Sequence, residues 1–168
     1  MRKNSTGYTL LLLLALGLPL KALTPLQAAR DMDGYGTSDG PGGGKFACAW
    51  VLSKVLDRAG YDVASNQTSD LDDRMHTIAE RVDDPQPGDI IISPSRGGCH
   101  GHCGVIAEHG LIYSNCSADH RFELGLTVKG WHKYFGNALG LPVHYWRLTH
   151  RTSNGQAQCI RQRVLPRR

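Results

Sequence analysis

Between Gly97 and Cys116 the chain reads GGCHGHCGVIAEHGLIYSNC, with three cysteines, three histidines and one asparagine in twenty residues. Side chains of these types suit three kinds of chemistry. They bind zinc, they build a disulfide frame, or they supply the base of a nucleophilic site. Another cysteine, Cys48, lies upstream in KFACAWVLSKVLDRAGY. Ala47, Val51 and Val55, together with Cys48, Leu52, Leu56 and Ala59, recur at helical spacing, and Gly60 is a stop signal. The spacing predicts a helix over residues 47–59. Cys48 then sits in its first turn, where free backbone N–H groups and the helix dipole favour a thiolate. A histidine within reach would serve as its base. A third polar group would fix the tautomer of the imidazole, and the N–H of Cys48 would donate to an oxyanion. Cys48, His102 and Asn115 supply such a set in chain order.

Strands must carry the last two. QPGDIIIS reads as a turn followed by a buried strand, because three β-branched residues follow Pro-Gly-Asp. HCGVIAE and LIYSN read as two strands joined by His109-Gly110. A two-residue turn there pairs Glu108 with Leu111, which sets Cys103 across from Cys116 and Gly104 across from Asn115. Alternation then puts His102 and Asn115 on one face and the two cysteines on the other. Opposed Cβ atoms about 4.5–5.5 Å apart are near what a disulfide needs. A Cys103–Cys116 bridge is therefore expected. Arithmetic alone adds Cys99–Cys159, which leaves Cys48 as the free thiol of five. The zinc alternative rests on CHGHC, that is Cys99, His100, His102 and Cys103, but the same alternation turns His102 away from the thiols. Elsewhere, DVASNQTSDLDDRMHT reads as loop, MHTIAERV and TVKGWHKYFG as short helices, and PVHYWRL as a last strand. One helix and then a run of short strands predicts an α+β fold with an antiparallel sheet.

The ends differ from the middle. Arg2 and Lys3 precede the apolar run YTLLLLLALGLPL, and small residues follow, with cleavage points after Ala22, Ala28 or Ala29. This is the anatomy of a signal peptide, here assigned to residues 1–29, and the run is shorter than the roughly 18 residues of a spanning helix. Loss of Arg2, Lys3 and Lys21 takes the net charge from +4 to +1, so the remaining chain is not globally basic and nucleic acid is not implied. Residues 30–44, RDMDGYGTSDGPGGG, read as a flexible Gly-rich leader. Residues 45–150 form the domain. Residues 151–168, with Arg151, Arg161, Arg163, Arg167 and Arg168, form a basic tail, read as a solvated end with at most weak contact to an anionic wall or membrane surface.

The order of these segments resembles the NlpC/p-sixty and CHAP cell-wall cysteine peptidases of the papain-like superfamily. In them the nucleophile opens a helix, as in FACAWVLSKVLDRAG. A strand follows a Pro-Gly-Asp turn, as in QPGDIII. A Gly-His strand carries the base, as in GHCGVIA, and the next strand ends in the third polar residue, as in IYSN. The resemblance spans Lys45 to Asn115, and HYWRL fits a further strand of the same sheet. It departs at Cys48-Ala49-Trp50, where many relatives carry Cys-Ser, and at Ser114-Asn115, where many carry histidine. The resemblance implies a papain-like fold, with the Cys-bearing N-terminal helix packed on a small antiparallel sheet. It implies that Cys48 is the nucleophile, His102 the base and Asn115 the group that orients the base. It further implies a secreted or periplasmic peptidase or amidase, without cofactor or metal, acting on peptidoglycan stem peptides. The alternatives are a noncatalytic wall-binding or partner-binding module on the same scaffold, and a zinc domain built on CHGHC.

Overall fold

The computed structural model describes residues 22–149. The apolar run, the basic tail and Cys159, with its expected bridge to Cys99, lie outside the described residues. Four α-helices and seven strands are formed within them: α1 (Pro25–Asp31), β1 (Tyr35–Gly36), α2 (Cys48–Arg58), α3 (Thr68–Met75), β2 (Ala79–Arg81), β3 (Ile90–Ser93), β4 (His102–Ile106), β5 (Leu111–Cys116), β6 (Arg121–Thr127), α4 (Val128–Trp131) and β7 (His144–Leu148). The strands make one antiparallel sheet in the order β1-β6-β5-β4-β3-β7-β2. The class is α+β.

The central strands are buried on both faces, so their sequences are apolar runs. Ile90, Ile92, Cys103, Val105 and Tyr113 face a large core under α1 and α2. Ile91, Ile106 and Ile112 face a smaller core with Trp131, Phe135 and Leu141. Val51, Leu52, Val55 and Leu56 are the buried stripe of α2 and hold that helix on the sheet. Pro-Gly-Asp has a structural part in this. The Asp89 carboxylate, nearly buried, accepts from the Gln86 N–H (2.7 Å) and from Arg147 Nε (3.1 Å) and Nη2 (2.8 Å), so it closes the turn into β3 and ties it to β7.

Three segments depart from expectation. First, residues 30–44 are not a loose leader. Gly34 N–H donates to Phe122 C=O (2.8 Å), Thr37 N–H donates to His120 C=O (2.8 Å), and β1 pairs with β6. These bonds recruit glycine-rich backbone that carries no hydrophobic periodicity. Second, the helix expected in MHTIAERV ends where it was to begin. α3 occupies Thr68–Met75, and Ala79–Arg81 pairs with β7. Asp72 draws α3 onto the sheet. It accepts from Trp146 Nε1 (2.8 Å) and pairs with His144 Nδ1 (2.7 Å), contacts between residues far apart in the chain.

Third, the β4–β5 register is one residue away from the expected one. The connection is a three-residue 3₁₀ turn, Glu108–Gly110, closed by Ala107 N–H to Leu111 C=O (2.7 Å). His109 and Gly110 both take left-handed backbone (φ 58° and 68°), and Glu108 also belongs to the turn. Gly104 therefore faces Ser114, and Val105 faces Tyr113. A slip of one residue exchanges the faces of a strand. Cys103 thus shares the α2 face with Tyr113 and Asn115, Cys116 turns the other way, and Cys48, Cys99, Cys103 and Cys116 are all free thiols. The Cys103–Cys116 bridge is corrected on this ground.

α1 begins with Thr24, whose side chain accepts from the Gln27 N–H while the Gln27 side chain accepts from the Thr24 N–H. It buries Leu26, Ala28 and Ala29. The boundary at residue 29 cuts through this helix, whereas cleavage after Ala22 leaves it whole. A chain that starts at Arg30 should melt lower than one that starts at Leu23, by at least the burial of Leu26, about 2 kcal/mol. Thermal unfolding of the two purified forms checks this, and N-terminal sequencing of the processed protein should read Leu23.

Candidate active site

A cleft of about 920 Å³ opens where the N-terminus of α2 meets the start of β4. Cys48, His102 and Asn115 all line it. Its walls differ in character. Asn66, Gln67, Thr68 and Ser95 give amides and hydroxyls, while Leu126, Trp131, Tyr134 and Phe135 give an apolar and aromatic surface. Among the described residues, Lys45 is the one Lys or Arg that lines the cleft, and no carboxylate lines it.

Cys48 opens α2. The residue before it, Ala47, has no side chain able to cap the helix, so the first-turn N–H groups stay available. The Cys48 thiol is held well below the usual thiol range. The largest cause is a hydrogen bond from the Cys103 thiol. Burial opposes the shift. A hydrogen bond and electrostatic attraction from His102, and the N–H of Ala49, add to it. Cys103, 1% exposed, behaves in the opposite way. Burial, and then the neighbouring Cys48 sulfur, push its thiol well above the usual range. Of the two sulfurs, Cys48 is the more easily ionised and Cys103 the one that holds its proton more firmly.

His102 is 9% exposed and reaches the thiol from the first residue of β4. Its ring stacks on Trp131 (centroids 5.2 Å apart) and Phe135 (5.4 Å). Trp131 is fixed in turn by Nε1 donating to Ser93 Oγ (2.9 Å), and Ser93 pairs with His102 across β3 and β4. Phe135 comes from a π-helical turn, residues 132–138, that continues α4. Two glycines bracket the histidine and its neighbour because other backbone passes close by. A Cβ on Gly101 would stand 1.9 Å from Ser93 O, and one on Gly104 would stand 2.5 Å from Tyr113 O.

Asn115 lines the cleft, but its amide is committed elsewhere. It is 3% exposed. Oδ1 accepts from Thr37 Oγ1 (2.7 Å), and Nδ2 donates to Gly44 C=O (2.9 Å). No hydrogen bond joins it to His102 among the described residues. The expected set is therefore brought together in part. Cys48 and His102 meet at the sulfur. Asn115 clamps the segment that delivers Cys48, and stacking on Trp131 and Phe135 holds the imidazole. Ser117 supports the same segment, with Oγ donating to Lys45 C=O (2.8 Å).

The CHGHC side chains diverge. Cys103 faces α2, Cys99 packs on the smaller core, the His100 ring lies tilted against Phe46 (centroids 4.8 Å apart), and His102 lines the cleft beside Cys48. Among the described residues, the group whose ligand atoms could close on one ion is Cys116, Asp119 and Glu123, around the β5–β6 turn. There Cys116 Sγ donates to Asp119 Oδ2 (3.2 Å).

Sequence reasoning overlooked Thr37, Cys103 as a partner of Cys48, and the aromatic shelf. Trp131 and Phe135, four residues apart, gave a usable signal, because such a pair lies on one side of a helical segment. Thr37 gave none. No family model matches this chain, and no curated protein sequence matches it.

Two outcomes follow from this geometry. Replacing Cys103 with alanine removes the donor that favours the Cys48 thiolate, so the pKa of Cys48 should rise. The acid limb of its alkylation rate with iodoacetamide, measured against pH, should move to higher pH. The second concerns Asn115. Asn115→Ala leaves the Thr37 hydroxyl and the Gly44 carbonyl without partners in a buried place, a loss of about 1–3 kcal/mol. Thr37→Val should lower the denaturation midpoint as well, although it touches no catalytic group. If Asn115 acts only on the imidazole, Thr37→Val is silent.

Proposed function

We propose that this chain is a cysteine peptidase or amidase of papain-like design that hydrolyses amide bonds in peptidoglycan stem peptides. The observation that carries the reading is Cys48 at the start of α2, its thiol held well below the usual range with His102 among the causes, and the two residues lining one open cleft. A nucleophile paired with a positioned base is the arrangement covalent acyl transfer needs.

The steps use these residues alone. The Cys48 thiolate attacks the amide carbonyl carbon, and the oxyanion that forms lies at the helix N-terminus, where the Cys48 N–H is the donor. The C–N bond breaks as His102, protonated, passes its proton to the leaving amine. A thioester remains on Cys48. His102, now neutral, takes a proton from water, the resulting hydroxide attacks the thioester carbonyl, and the acid product leaves as the thiolate is restored. The stacked ring stays in one orientation through both proton transfers, because Trp131 and Phe135 pack against it.

The cleft favours a particular class of acyl donor. Lys45 is the one Lys or Arg lining it among the described residues and is in no ion pair there. Stem peptides carry free carboxylates beside their amide bonds, and an unpaired ammonium in a cleft without carboxylates attracts them. The polar wall suits peptide amides, and the aromatic wall suits the apolar faces of attached sugars or methyl groups. The order of the Cys-helix, Pro-Gly-Asp strand and Gly-His strand, similar to that of cell-wall peptidases, supports the same substrate. So does the signal-like N-terminus, which points to the cell envelope.

The test is mass spectrometry of purified peptidoglycan fragments after incubation with the wild-type chain, Cys48→Ala and His102→Ala. The wild type should release new fragments whose masses name the bond. Cys48→Ala should release none, and His102→Ala should be slower by about 10²–10⁴-fold. Fragments released equally by Cys48→Ala would overturn the assignment of the nucleophile. An absence of fragments from a wild type whose Cys48 also resists alkylation at neutral pH would favour a binding module on the same scaffold.

A further inference from the structure

Peptide hydrolysis needs one thiol, and this site has two. Cys48 is half-buried and lines the cleft, while Cys103 stands behind it, 1% exposed, on the sheet face that carries α2. Cys48 packs against the same core cluster that holds Cys103, where the start of α2 meets β4, and each sulfur perturbs the other. We propose that Cys103 is a resolving thiol, and that oxidation of Cys48 by a hydroperoxide ends in a Cys48–Cys103 disulfide that closes the site reversibly. The effect on activity rests on the reading of Cys48 as the nucleophile; the bond itself does not.

The route follows from access. A small oxidant entering the cleft meets Cys48 first, since Cys103 is covered. The Cys48 thiolate attacks one oxygen of the O–O bond. That bond breaks, sulfur is oxidised to a sulfenic acid, and the other oxygen leaves with a proton as alcohol or water. Burial still favours the protonated Cys103, but the part of that preference that came from the Cys48 sulfur is then gone, and the departing hydroxyl can take the proton. Cys103 loses its proton, its sulfur attacks the Cys48 sulfur, and the hydroxyl leaves as water. Two thiols and one hydroperoxide give one disulfide, one alcohol and one water. Two thiols packed in one cluster between a helix and the strand beneath it are placed to approach bonding geometry. A dithiol reverses the bond by exchange. Cys99 and Cys116 are placed apart from this pair. Cys99 packs on the core across the sheet, and Cys116 is engaged by Asp119.

The experiment uses the whole purified chain and its Cys103→Ser variant, each treated with hydrogen peroxide. Non-reducing digestion and mass spectrometry of the wild type should find the Cys48 and Cys103 peptides joined, and dithiothreitol should separate them. Activity on peptidoglycan fragments should fall with the joining and return with dithiothreitol. In Cys103→Ser, peroxide should carry Cys48 on to sulfinic and sulfonic acids, with a loss that dithiothreitol does not restore. Wild-type Cys48 found over-oxidised, or joined to another cysteine, would overturn the proposal, as would full recovery in Cys103→Ser. The mapping needs no substrate. If the peptides join but no fragments are ever released, the hydrolase reading fails and the resolving thiol stands.

Discussion

The three-residue turn Glu108–Gly110 sets the register of β4 on β5, and the composition of the cleft depends on that register. With Gly104 across from Ser114, Cys103 points to α2 and His102 to the opposite face. His102 is the first residue of its strand, so the ring can lie on Trp131 and Phe135 and still reach a sulfur held on the α2 side. A slip by one residue would bury the imidazole under α2 and send the second thiol to the aromatic shelf. Two close backbone approaches, at Gly101 and Gly104, oppose such a slip, because any other residue moved into either place brings a Cβ into a carbonyl.

Asn115 works on the other half of the site. Its amide joins β5 to Thr37 and Gly44, and that joint aims α2. A helix N-terminus stabilises a thiolate only where its N–H groups point, and the direction falls off within a turn. The glycine-rich approach to α2 has little side-chain packing of its own. Hydrogen bonds therefore fix it, a buried one from Asn115, an exposed one from Ser117 and those of the β6 backbone. An asparagine beside a thiol and an imidazole can serve by placing the helix that carries the thiol instead of orienting the imidazole.

Much of the scaffold was legible in the sequence because its signals are local. The stripe Val51, Leu52, Val55 and Leu56 identifies α2, and the run Ile90–Ile92 after Pro-Gly-Asp identifies β3. Cys48 and His102 could be named from their residue types and the order of their elements. What was not legible depends on partners distant in the chain. α3 forms in a polar stretch because Asp72 reaches Trp146 and His144. Residues 30–44 are ordered by β6. β6 itself, RFELGLT, is a largely exposed strand with weak alternation, recognisable only beside β5. The turn failed for a subtler reason. His109-Gly110 carries the expected positive-φ signal, yet a two-residue and a three-residue loop both accommodate that pair, and the sequence does not count Glu108 in or out. One uncounted residue exchanged the faces of β5 relative to β4, and with them went the expected disulfide.

That exchange also accounts for the electrostatics of the site. A disulfide at Cys103 would have removed the one donor that lies on the protein side of the Cys48 sulfur. The remaining favourable groups, His102 and the Ala49 N–H, would then have to overcome the burial of the thiolate by themselves. A sulfur deep enough to be shielded from water by α2 and β4 loses hydration, and a buried charge persists only when fixed donors replace that hydration. Cys103 suits that role because its own burial raises its pKa while that of Cys48 is lowered, so Cys103 is the one that holds its proton more firmly. The two opposed shifts come from one asymmetry of position. Cys48 opens onto the cleft at a helix terminus, and Cys103 is enclosed between that helix and the sheet.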